Sequence, residues 1–96
     1  MESKTFTEKR KILKELLLSD TCTPVIGVYD VISARLVEQF GFPAVYIGSY
    51  AVAASVLGEP DTGLNTLNYI VEQTRIIADA IDIPLVADAE NGFNRP

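Results

Sequence analysis

The sequence predicts an α/β fold built on parallel strands. Three short apolar segments of strand character begin near Val25, Ala44 and Leu85. The connections between them are long enough for a right-handed crossover in each case. A third observation concerns placement. Asp30, Gly48-Ser49, Asp61, Asp88 and Glu90 all fall at or beyond the carboxyl ends of those segments. Parallel α/β folds, barrel or open sheet, carry their sites at that end.

The elements follow in order. Thr5-Phe6-Thr7-Glu8 has the pattern of a capping box. Behind it, Ile12, Leu13, Leu16 and Leu17 form a stripe at helical spacing, and Ser19-Asp20-Thr21 ends the helix. Its expected role is a lid on one end of the sheet. Pro24 to Tyr29 is the first strand, with Gly27 inside it marking a close approach or a need for space. Asp30 is read as the cap of the next helix in preference to a site residue. That helix has apolar positions Ile32, Leu36, Val37 and Phe40, and Gly41 is placed to end it. Phe42 to Ser49 is the second strand and its exit. Tyr50 to Leu57 reads as a short helix, and Gly58 to Gly63 as a loop. Asn65 or Thr66 caps a long helix lined by Leu67, Ile70, Val71, Thr74, Ile77, Ala78 and Ile81. Asp82-Ile83-Pro84 turns into the third strand.

Pro84 to Phe93 is the stretch around which the rest is organised. An apolar run suited to a strand buried on both faces leads into Asp88 and Glu90. Residues two apart on an extended backbone point the same way. Two carboxylates brought that close repel unless a cation or a shared proton intervenes. A hard-metal site, with Mg²⁺ the expected ion, is one reading. A solvated acidic turn is the other.

Composition narrows the function classes. Ninety-six residues form at most one domain, and with 48% hydrophobic residues and a mean hydropathy of +0.21 most elements should be buried on more than one side. The formal net charge is -5, with 8 basic residues against 13 acidic. Lys4, Lys9, Arg10, Lys11 and Lys14 cluster near the start and are expected to form one solvated helix face. No nucleic-acid partner is expected. With no His, the chain has no Ser-His or Cys-His dyad and no His ligand. The single Cys22 excludes an internal disulfide framework and is expected to be a small apolar filler. No run reaches transmembrane length and the start is not a secretory signal, so no membrane partner and a cytoplasmic location are expected. No GxGxxG or P-loop follows the first strand, which counts against a dinucleotide or NTP fold.

Four blocks carry a family pattern in order and with fitting gaps: Gly27 to Arg35, Gly41 to Tyr46, Ala53 to Gly63 and Val86 to Phe93. In them the chain resembles the N-terminal part of the isocitrate lyase/phosphoenolpyruvate mutase superfamily. It looks closest to the methylisocitrate lyase, oxaloacetate decarboxylase and phosphonomutase-like members. The resemblance implies the first three βα units of a (β/α)₈ TIM-type barrel with an N-terminal helix, residues 1–96 being an incomplete domain, and a homo-oligomer. It implies Mg²⁺ or Mn²⁺ held by Asp61, Asp88 and Glu90, directly or through water. It implies a substrate wall at Tyr46, Gly48, Ser49 and Tyr50. The shared chemistry is a metal-stabilised enolate, so the implied function is a carbon–carbon lyase acting on a small 2-oxo or 2-hydroxy dicarboxylate, methylisocitrate- or oxaloacetate-like. A phosphonate enzyme, P–C mutase or hydrolase, is the alternative. A catalytically incomplete fragment that only associates is the non-enzyme alternative.

Departures from the pattern bear on the site. Glu90 stands where Asp is commoner. Gly48-Ser49-Tyr50 stands where Ser-Gly-Gly is usual, and Tyr50 crowds that wall. Asn94 stands where a Gly is usual. The family's acid–base residues would lie beyond Pro96, so the 96-residue chain alone is expected to be inactive.

Overall fold

In the computed structural model, which describes residues 3–48, 58 and 67–88, one sheet holds three parallel strands. They are β1 (Val25–Val28), β2 (Ala44–Ile47) and β3 (Leu85–Ala87), in the order β1-β2-β3. The helices are α1 (Phe6–Leu18), α2 (Val31–Gln39) and α3 (Leu67–Ala80). The α/β fold class and the parallel strands are as expected, and the order is that of consecutive βα units. The expected helix over Tyr50–Leu57 and the caps Asn65 and Thr66 lie outside the described residues.

The register pairs Gly27 with Tyr46 and Tyr46 with Val86, Val28 with Ile47 and Ile47 with Ala87. Side chains alternate across a strand, so the sheet has two distinct faces. One face carries Ile26, Val28, Val45, Ile47 and Leu85. On it, Val28, Val45 and Ile47 are buried together with Ala34 of α2 and with Ile70, Ile77 and Ile81 of α3 and its exit. The opposite face carries Val25, Gly27, Ala44, Tyr46 and Val86, with Ala44 buried at the amino end of β2. Val25, Gly27 and Tyr46 are exposed, and no described helix covers that side. Among the described residues the sheet is thus roofed by helices on one face, where composition predicts burial on more.

Helix α2 corrects a predicted face. Ile32 is 71% exposed and Phe40 78%, with Leu36 also exposed. Of the predicted positions Val37 does pack against the core, where it is joined by Val31 and Ala34. The helix carries two apolar stripes at helical spacing, and the one with a small residue at its centre lets the backbone approach closely. Its ends form as the sequence predicts. Asp30 Oδ1 accepts the Ser33 N–H at 2.8 Å, and Ser33 Oγ accepts the Asp30 N–H at 3.2 Å. At the other end Gly41 has φ +87°, its N–H reaches the Glu38 carbonyl at 3.0 Å and that of Phe42 reaches Val37 at 3.3 Å. That pair of bonds is a Schellman motif, which needs a left-handed residue at Gly41.

Helix α1 begins where the Thr5 hydroxyl accepts the Glu8 N–H at 3.1 Å. Three residues of its predicted stripe, Ile12, Leu13 and Leu16, are half-buried, while the fourth, Leu17, is exposed. The solvated basic face also needs correction. Lys4, Arg10, Lys11 and Lys14 are exposed, but Lys9 is buried. Its ammonium donates to the carbonyl oxygens of Ala78 at 2.6 Å and Ile81 at 2.8 Å, and stands 5.0 Å from the Phe6 ring centre. The last carbonyls of a helix lack partners within it and carry partial negative charge, so a cation there is favoured. The Lys4 N–H adds a 3.0 Å bond to Asp82. Helix α1 is therefore fastened to the turn that enters β3, at the amino end of the sheet.

On α3, Ile70 and Ile77 are buried as predicted, but Val71 is exposed. It faces an apolar cavity of about 480 Å³ bounded by Phe6, Leu13, Val71, Ala78, Leu85 and Ala87.

Candidate functional site

The site is built from the ends of two neighbouring strands. Strand β2 carries Tyr46, and β3 pairs Val86 with it. Past the strand, the Asp88 N–H donates to the Ile47 carbonyl at 2.8 Å and carries the ladder one step further. Asp88, two residues beyond Val86, shares the unroofed face with Tyr46 and Gly48.

Across the strands the Tyr46 hydroxyl donates to Asp88 Oδ2 at 3.4 Å, a long hydrogen bond. Within β2 the Tyr46 ring leans along the strand over Gly48. A Cβ at Gly48 would lie 3.2 Å from the ring carbon Cε1 and 3.6 Å from the hydroxyl oxygen. The family resemblance places Gly48 in the substrate wall. The structure adds that its bare Cα leaves room for the ring. An aromatic residue two places before a glycine on one strand face is the signal in the sequence for that packing. At Gly27, beside Tyr46 on β1, a Cβ would meet nothing within 4 Å, so the predicted close approach is not seen among the described residues.

Of the expected site residues, Tyr46, Gly48 and Asp88 come together. Ser49, Tyr50, Asp61 and Glu90 lie outside the described residues. Among the described residues no three acidic, Cys or His side chains gather as a metal group. Among the described residues, Asp88 presents a carboxylate oxygen donor, half-buried just past the carboxyl end of β3. Its chemistry suits Mg²⁺ or Mn²⁺. Asp30 is a helix cap, as preferred, and its carboxylate is engaged by Ser33. Cys22 corrects another expectation: it is exposed in the connection between α1 and β1, outside the core that would make it an apolar filler. The apolar cavity lies between α1, α3 and β3, on the helix side of the sheet. No described helix is long and apolar enough to cross a membrane.

Residues 13–96 match the family model described as phosphoenolpyruvate phosphomutase. The oxaloacetate decarboxylase of Bradyrhizobium sp. (strain ORS 278) is 39% identical over 89 residues, 93% of this chain and 31% of that protein. The 2,3-dimethylmalate lyase of Eubacterium barkeri is 37% identical over 84% of this chain and 28% of its own length. A crystal structure of oxaloacetate acetylhydrolase superposes with a TM-score of 0.84 at 34% identity, over 90% of this chain and 31% of that one. The chain spans about a third of the length of the relatives it matches.

Proposed function

Because the chain belongs to the phosphoenolpyruvate phosphomutase family, we propose that it forms the metal-binding corner of a carbon–carbon lyase. The substrate is a small 2-oxo or 2-hydroxy dicarboxylate of the oxaloacetate or methylisocitrate kind. Residues 1–96 are then the N-terminal part of a (β/α)₈ barrel. The observation that carries this reading is the convergence of Tyr46, Gly48 and Asp88 at the carboxyl ends of β2 and β3. The similarity to an oxaloacetate decarboxylase and a dimethylmalate lyase supports the substrate class.

Asp88 is assigned to hold a divalent cation, Mg²⁺ or Mn²⁺, together with Asp61 and Glu90. When bound, such an ion would neutralise negative charge developing on a substrate oxygen. The chain's own residues have separate tasks. The Tyr46 hydroxyl fixes the orientation of the Asp88 carboxylate. The backbone at Gly48 and the Ser49 hydroxyl bind the substrate carboxylate, and Tyr50 narrows that wall against larger substrates. We place the protein in the cytoplasm as a homo-oligomer. A second reading, a phosphonate enzyme using the same corner, is favoured by the phosphomutase description of the matching family.

The test uses the full polypeptide with Mg²⁺. Oxaloacetate or 2,3-dimethylmalate should be cleaved, and Asp88→Asn should abolish turnover. Mg²⁺ should raise the melting temperature by binding the native state, and Asp88→Asn should remove that rise. Turnover of a phosphonate alone would move the assignment to the second reading. Full activity in Asp88→Asn would overturn both.

A further inference from the structure

We propose that Gly48 is a positioning residue, whose missing side chain sets where the Tyr46 hydroxyl stands relative to Asp88. This rests on the reading of Asp88 as part of the site. Position 48 is not a turn that demands glycine: its φ is outside the left-handed region, unlike those of Gly41 and Gly58. What it supplies is space. The edge of the Tyr46 ring lies where a side chain at 48 would begin, with Cε1 3.2 Å and Cζ 3.7 Å from the Cβ position. A Cβ there would push the ring aside by a few tenths of an ångström. The bond from Tyr46 to Asp88 is already 3.4 Å long and has no such slack.

Gly27 gives the contrast. It pairs with Tyr46 and belongs to the same sheet face, yet a Cβ there touches nothing within 4 Å. Two glycines flank one tyrosine, and only one of them governs its ring. The residue at 48 thus acts on the carboxylate through an aromatic lever. In this chain the space beside the Asp88 carboxylate is filled by a phenol, where a side chain at 48 would have competed for it.

The experiment uses the full polypeptide labelled with ¹³C at the tyrosine Cζ. Tyr46→Phe identifies the Tyr46 resonance. Gly48→Ala is expected to move that resonance, as Asp88→Asn does, and Gly27→Ala to leave it in place. Mn²⁺ affinity, read from the electron paramagnetic resonance of the free ion, should fall by up to about tenfold in Gly48→Ala. It should fall little further when Tyr46→Phe is added, because the lost hydroxyl is the same. A Tyr46 resonance unmoved by Gly48→Ala, or affinity losses that multiply, overturns the proposal. Should Gly48→Ala fail to fold, Tyr46→Ala in the same chain is expected to restore folding by removing the ring; no restoration overturns the proposal as well. The metal assignment has its own readout: Mn²⁺ bound undiminished by Asp88→Asn removes it, while the ring resonance still decides the role of Gly48.

Discussion

The ammonium of Lys9 stands 2.8 Å from the carbonyl oxygen of Ile81, joining the first helix to residues 72 positions away. With the second bond to Ala78 it satisfies the carbonyl end of α3 from outside that helix. Charge-assisted bonds to buried groups are the costly ones to lose. Lys9→Met keeps the stem and removes the cation, so it should lower stability by about 1–3 kcal/mol in urea denaturation. Lys11→Met, two residues on and exposed, should change it by less than about 0.5 kcal/mol. Equal effects would show that Lys9 does not hold α1 in place.

Asp30 and Ser33 bind each other reciprocally at the start of α2. Asp30→Ala should cost about 1 kcal/mol by loss of the cap, and Asp30→Ser much less. Neither should alter Mn²⁺ affinity, because the carboxylate is engaged by the helix. An affinity loss in isothermal titration would return Asp30 to the site.

The orientation of α2 has its own test. Ala34 is fully buried, so Ala34→Leu should overpack the contact with the sheet and cost about 1–3 kcal/mol. Phe40→Gln, on the exposed stripe, should stay within about 0.5 kcal/mol. Thermal melts of the two variants in the opposite order would mean the helix is turned the other way.

Ile47 lies fully buried at the centre of the roofed face. Ile47→Val should cost about 0.5–1.5 kcal/mol and Ile47→Ala about 2–5 kcal/mol. The neighbouring Tyr46, exposed on the other face, should tolerate Tyr46→Phe with far less loss in the same denaturation assay. A similar cost at both positions would contradict the two-faced sheet.

The strands and helices were legible because their signals are local. Apolar runs bounded by Pro24, Pro43 and Pro84, caps at Thr5 and Asp30 and the glycine after α2 all act within a few residues. The buried face of α2 was not legible in the same way. Ile32, Leu36 and Phe40 are larger and more apolar than Val31, Ala34 and Val37, but close approach to a sheet rewards a small residue, and that contact is made in space. Lys9 escaped for the same reason, since its partners are main-chain carbonyls far along the chain. At the site, Gly48 and Asp88 follow from the rule that parallel sheets work at their carboxyl ends, and Tyr46 from the family resemblance. The spacing of Tyr46 and Gly48 signals their packing, but the lever through the ring to Asp88 also depends on a rotamer, which that spacing does not fix.

The one-sided roofing of the sheet has an electrostatic corollary. At 4 Å a pair of unit charges attracts by about 1 kcal/mol in bulk water and about 4 kcal/mol at the effective dielectric of a sheltered site. Asp88 stands on the open side, so on its proposed assignment as a metal ligand any further layer that settles over Tyr46 and Gly48 would displace water and strengthen its attraction for a cation. By thermodynamic reciprocity the cation would favour that layer in return. On that assignment, ion capture and closure of the second face would be two halves of a single equilibrium.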